Sequence, residues 1–305
     1  VSTISITTKP RPYLGLMFVI IAAFSFSAKA VIIKIAYGHG AHITPIMLMS
    51  LRMLFSLPFF VAAIILIERN RTHAAFSTTD KLNLVGLGVI GFYLAAYFDF
   101  VGLHYISASL ERLVLLLYPT LVVLLSAIFF KQKIQSREAI ALVVSYIGIV
   151  TVFYEELNIA GTNTILGSAF IFASATAFAI YLIGSGQMVK RIGAMRFTAY
   201  AMTIACLATL FHFGVEFDAT VTTLSLEIYG LALLMAVVCT VIPTFLMNAG
   251  IHHLGAGPAS IISGLGPIMT IFLAYLILDE QLTPIQIAGA TLVIAGVFVV
   301  SGKKR

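Results

Sequence analysis

Ten apolar stretches run through this sequence, separated by short breaks that are polar or rich in turn residues. Their approximate limits are 13–36, 44–67, 83–104, 107–130, 137–154, 165–187, 197–213, 228–250, 257–278 and 285–301. At about 1.5 Å of rise per residue, a helix of each length crosses or nearly crosses a hydrocarbon layer about 30 Å thick. The chain therefore reads as an all-α integral membrane protein of ten transmembrane helices, with the lipid bilayer as its partner. Composition points the same way: 60% of the 305 residues are hydrophobic and 10% are charged, against about a quarter charged in soluble domains. The first stretch, from Tyr13 to about Ala36, is longer than a signal-peptide core, contains Lys29 and has no convincing cleavage site after it, so it reads as a retained helix.

A net charge of +6 invites a nucleic-acid reading, but no basic run is interleaved with aromatics. The loops account for it instead. Numbered alternately from the N-terminus, one set holds 14 of the 18 Lys and Arg, among them Lys9, Arg71, Lys131, Lys190 and Arg305. The other set holds only Lys34, together with Glu155, Glu156, Glu216, Asp218, Glu227, Asp279 and Glu280. The positive-inside rule then puts both termini in the cytoplasm and the chain in the cytoplasmic membrane. Cys206 and Cys239 are too few and too embedded in apolar sequence for a disulfide framework or a metal site, and no cofactor motif occurs.

Sliding the chain on itself by 148 residues aligns Gly102 with Gly250, His104 with His252, Pro119 with Pro267 and Gly148 with Gly296. A shift of 152 aligns Gly15 with Gly167 and Phe26 with Phe178. Five spans per half is an odd number, so the second copy enters the membrane from the opposite side. The expected organisation is two inverted five-helix repeats, 13–154 and 165–301, an arrangement that gives transporters two alternative packings around a site near the midplane.

Several local patterns resemble the drug/metabolite transporter superfamily, EamA type. The segment FSFSAKAVIIKIAY is similar to that family's tryptophan-glycine-serine-asparagine element, with Phe26 in the tryptophan place and Ile33-Lys34 as its isoleucine-lysine pair. In SLRMLF, Arg52 matches an arginine-aromatic pattern, with Met53 replacing the aromatic. The strongest likeness is GLGPIMTIFLAYLILDEQLTPIQIAGATLVIAG, Gly264 to Gly296, which resembles the ninth helix, acidic loop and tenth helix of the family. The resemblance covers about Tyr13 to Ser301 and implies the fold and transport of a metabolite. It does not name the substrate. Lys29 stands where the family has a small polar residue, and Glu111-Arg112 where it has small apolar ones.

Five ionisable residues interrupt the apolar stretches: Lys29, Arg52, Asp99, Glu111 and Arg112. Each costs about 2.5–3.5 kcal/mol at a helix centre, so they should face a cavity or one another. All five fall in the first repeat; Tyr181, Ala259 and Ser260 take the places of Lys29, Glu111 and Arg112 in the second. Two readings stay open. In one the charges pair structurally, Asp99 with Arg52 or Arg112 and Glu111 with Lys29. In the other, three cations against two anions leave a surplus positive charge for a carboxylate or phosphate of the substrate, held by Lys29 or Arg112. Glu111 or Asp99 then serves an amino group or a coupling proton. Tyr97, Tyr181, Ser260 and Ser263 are further candidates for the path.

The leading expectation is a secondary transporter that moves a small anionic or zwitterionic metabolite, such as an amino acid, by alternating access. An enzyme would need a catalytic constellation, and neither HExxH, GxSxG nor a phosphate-binding glycine loop occurs. Asp99, His104 and Glu111 leave an intramembrane hydrolase as one alternative and a channel as another.

Overall fold

The computed structural model describes residues 12–40, 42–69, 75–131, 133–160, 163–255, 259, 262 and 264–301. All regular structure among them is helical. In chain order the helices are α1 (Pro12–Gly38), α2 (Pro45–Glu68), α3 (Thr78–Tyr105), α4 (Ala108–Phe130), α5 (Ser136–Ala160), α6 (Asn163–Ile192), α7 (Ala194–Val215), α8 (Leu226–Leu254), α9 (Gly266–Leu278) and α10 (Pro284–Ser301). The first eight are long and apolar enough to cross a membrane, whereas α9 and α10 are shorter apolar helices. Among the described residues this is fewer full-length spans than the ten expected. The stretch 257–278 begins among residues outside the description, Ala259 and Ile262 are helical, and α9 opens at Gly266 with Pro267 inside its first turn.

Helix starts follow local chemistry. Thr44 accepts from the Met47 amide ahead of Pro45, a residue suited to a first turn because it has no N–H to satisfy. Ser77 and Asp80 form a reciprocal capping box that opens α3. Ser107 accepts from the Leu110 amide and opens α4. That helix is interrupted at Leu116 and Leu117 and resumes at Tyr118, because Pro119 offers no amide and crowds the preceding turn.

The interruptions recur. A π-helical turn starts at Val89 in α3 and another at Val237 in α8, and the left-handed residues Lys131 and Asp279 close α4 and α9. Both pairs are separated by the 148 residues of the sequence match.

The packing recurs with its partners exchanged. A Cβ on Gly148 of α5 would fall 2.6 Å from the Gly289 carbonyl oxygen of α10. One on Gly296 of α10 would fall 2.8 Å from the Ala141 carbonyl oxygen of α5, and these four positions also pair at 148. In the same way Gly102 of α3 lies against Gly167 of α6, and Gly250 of α8 against Gly15 of α1. Lipid supplies no hydrophobic drive between helices, so backbones held this close gain their contact from the missing side chains. The largest buried cluster joins Ile33, Met47, Met49 and Met53 of α1 and α2 with Phe100 of α3, Cys206 of α7 and Met235 of α8. Cys206 and Cys239 are buried and free, as packing residues should be.

Candidate functional site

Four helices bring the intramembrane charges together. Lys29 of α1 donates from Nζ to Asp99 Oδ2 of α3 at 2.5 Å, the two side chains being 18% and 2% exposed. Glu111, one turn into α4, is 0% exposed, and its carboxyl is within hydrogen-bonding reach of Asp99. Arg52 of α2 is buried with its guanidinium 4.9 Å from the Phe100 ring centre and within electrostatic reach of Asp99. Its Nε has no hydrogen-bond partner. The pairing thus corrects the one expected from sequence: Asp99 bonds to Lys29, and Arg52 lies on an aromatic face, a placement that suits a weakly hydrated planar cation.

Arg112 points away from this pair, as the turn of about 100° per residue requires. Its Nη2 lies 2.6 Å from where a Cβ on Gly266 would sit, so the guanidinium end packs against the glycine that opens α9. Beside it, the Ser27 hydroxyl donates to the Gly266 carbonyl at 3.0 Å, and Thr270 donates to the Ser27 carbonyl at 3.1 Å. Arg112 therefore lies where α1, α4 and α9 meet.

Tyr97 joins a second group. Its ring lies 5.0 Å from His212 of α7, and Tyr93 Oη is 2.9 Å from His212 Nδ1. Tyr181 is placed elsewhere. It is buried among Phe92, Phe178 and Phe197 and covers Gly91, so aligning it with Lys29 does not bring it to the charges. Ser260 and Ser263 lie outside the described residues. His104 has ring contacts with Tyr37 and Tyr105.

Sequence reasoning missed a network at the acid-rich end of the bundle. Glu280, between α9 and α10, accepts from the Ala108 and Ser109 amides at 2.8 and 3.0 Å and from the Ser109 hydroxyl at 2.7 Å. Lys34 donates to the Leu103 and Ile106 carbonyls at 3.3 and 3.1 Å. An anion thus serves the N-terminus of α4 and a cation the C-terminus of α3, each matched to the helix dipole. Gln286 donates to the buried Glu156 at 3.0 Å nearby. Glu280→Ala should lower unfolding stability by about 1–2 kcal/mol, the cost of a lost helix cap, read by thermal unfolding in detergent. At the other end Arg196 of α7 makes a two-pronged bond to Glu68 of α2 and lies 4.0 Å above the Phe76 ring. The signal in each case was a charge beside a helix end, which sequence alone assigns to a loop.

Comparison with known proteins places this arrangement. The model of the EamA-like transporter family matches residues 13–154 and 165–302. The uncharacterized transporter YcbK of Bacillus subtilis is 35% identical over 296 residues, covering 94% of this chain and 91% of its own. An uncharacterized transporter of Archaeoglobus fulgidus is 25% identical over 264 residues, covering 86% and 90%. A solved structure at 15% identity has the same fold, with a TM-score of 0.60 over 95% of this chain and 98% of that one.

Proposed function

The chain belongs to the EamA-like transporter family, and on that premise we propose that it is a secondary transporter of a small carboxylate- or phosphate-bearing metabolite, amino acids included. In this reading both termini are cytoplasmic, the acid-rich end faces outward, and the halves 13–154 and 165–301 are inverted repeats that rock about the charged cluster in the cytoplasmic membrane. The exchanged contacts at Gly148, Gly289, Gly296 and Ala141 support two equivalent halves.

The observation that carries the substrate class is the imbalance of charge. The cluster holds three cations, Lys29, Arg52 and Arg112, against two carboxyl groups, Asp99 and Glu111, and among the described residues only Lys29 makes an ion pair with either of them. Burying an unneutralised cation is costly, and an arriving anion offsets that cost. Arg112, at the meeting of α1, α4 and α9, is placed to take a carboxylate or phosphate in a two-pronged bond. Lys29 is the partly exposed member of its ion pair, and Tyr97 would form an adjacent wall.

The test is counterflow and uptake in proteoliposomes, with and without a proton gradient, using labelled amino acids, dicarboxylates, nucleotides and S-adenosylmethionine. Counterflow of a carboxylate or phosphate compound is expected. Lys29→Met and Arg112→Gln should each reduce it at least tenfold, the loss of one charge-assisted bond worth about 1.5–3 kcal/mol. Unchanged kinetics in both variants would sink the assignment.

A further inference from the structure

One carboxyl group in the cluster lacks what its neighbours have. Neither oxygen of Glu111 has a hydrogen-bond partner, although the side chain is wholly buried. Asp99 uses Oδ2 for Lys29, and its other oxygen, Oδ1, is equally without a partner. Carboxylates only accept, so two ionised groups at this separation repel and neither satisfies the other. One proton changes the arrangement. As a carboxylic acid, Glu111 donates to Asp99 while Asp99 keeps its bond from Lys29, and a buried charge disappears along with two unsatisfied acceptors.

The charges that act on Glu111 are Asp99 of α3, Lys29 of α1 and Arg112 on its own helix. Arg52 of α2 acts on Asp99. Glu280, at the start of α4, is engaged by Ala108 and Ser109. α5, α6 and α9 also pack against this part of α4 and present no charge to Glu111 among the described residues.

We propose that Glu111 is a proton-binding site and that its proton travels with the anionic substrate in the same direction, one per turnover. The inference rests on the transporter reading above and adds the coupling ion to it. With Glu111 protonated, the five residues carry two net positive charges; with Glu111 ionised they carry one. An anion therefore binds the protonated form more tightly. By linkage the proton binds the anion-loaded form more tightly by the same factor. Neither crosses efficiently alone, and a proton gradient becomes an anion gradient.

The experiment uses the full chain in proteoliposomes, with labelled glutamate, succinate and glycerol phosphate as probes. With one proton per anion, an acid-outside gradient of one pH unit should accumulate the transported probe about tenfold. An entrapped pH dye should report luminal acidification with probe entry. Glu111→Gln mimics the protonated form: counterflow persists, which also shows that the variant folds, while accumulation falls to about the level without a gradient. Glu111→Asp restores the response. Wild-type counterflow without dye acidification or response to the gradient overturns the proton site alone, as does gradient-driven accumulation by Glu111→Gln. Absence of wild-type counterflow for every probe overturns the substrate reading and the coupling with it.

Discussion

Replacing Asp99 by Leu while Lys29 remains should destabilise the protein by about 3 kcal/mol, the low end for a broken buried pair, because the part-buried cation loses its bonded counter-ion and, among the described residues, keeps only the Glu111 carboxyl within electrostatic reach. Lys29 donates to Asp99 at 2.5 Å from a site only 18% exposed, and among the described residues no other carboxylate bonds to it. The double variant Lys29→Met with Asp99→Leu removes both charges together. It should return stability to within about 1 kcal/mol of the wild type, as matched apolar replacements of buried pairs commonly do. Transport should stay absent in the double variant, because the cation that meets the anion is gone and Glu111 has lost its acceptor. Thermal unfolding of purified protein reads the first quantity and proteoliposome counterflow the second. A double variant that regains both stability and counterflow would make the Lys29–Asp99 pair a structural tie and leave Arg112 to carry the substrate reading alone.

Much of the fold was legible because the bilayer imposes one demand on length and polarity, and the first eight helices meet it in full. The start of the fourth stretch at 107 agrees with the Ser107 cap, whereas the third stretch starts at 83 and the Ser77 capping box opens α3 earlier, at Thr78. The π-helical turns at Val89 and Val237 were not legible, since both lie in uninterrupted apolar sequence whose composition suits an ordinary helix equally well. The five intramembrane charges were visible because each is out of place. Their pairing was not visible. Lys29 and Asp99 are 70 residues apart, and which helix faces which is decided by close packing at positions such as Gly102 and Gly250. Glu280 illustrates the same limit. It reads as an acidic loop residue, yet it satisfies amides 171 and 172 residues away at the start of α4. Tyr181 illustrates the opposite case. The repeat put it in register with Lys29, but without a charged partner an aromatic side chain packs where rings and a glycine give it contact, against Gly91, Phe178 and Phe197.

Gly148→Leu and Gly296→Leu should each force α5 and α10 apart and cost at least the 1–3 kcal/mol typical of overpacking, about equally for the two. A Cβ on Gly148 meets backbone atoms, the Gly289 carbonyl oxygen at 2.6 Å and the Val293 amide at 2.8 Å. A Cβ on Gly296 meets the Ala141 carbonyl oxygen at 2.8 Å and the Ser145 amide at 3.0 Å. Backbone cannot turn aside as a flexible side chain can, so the helices themselves must move. Gly→Ala at the same positions should be milder, because helix propensity returns about 1 kcal/mol against a smaller clash. Gly186 of α6 supplies the control: nothing lies within 4 Å of its missing Cβ, so Gly186→Ala should be neutral or stabilising. Thermal unfolding followed by size-exclusion chromatography measures all five variants. Equal losses at 148 and 296 would follow from two halves that meet through interchangeable contacts. Tolerance at one and collapse at the other would mean that α5 and α10 carry unequal loads, and the two-fold relation would then be one of descent without mechanical equivalence.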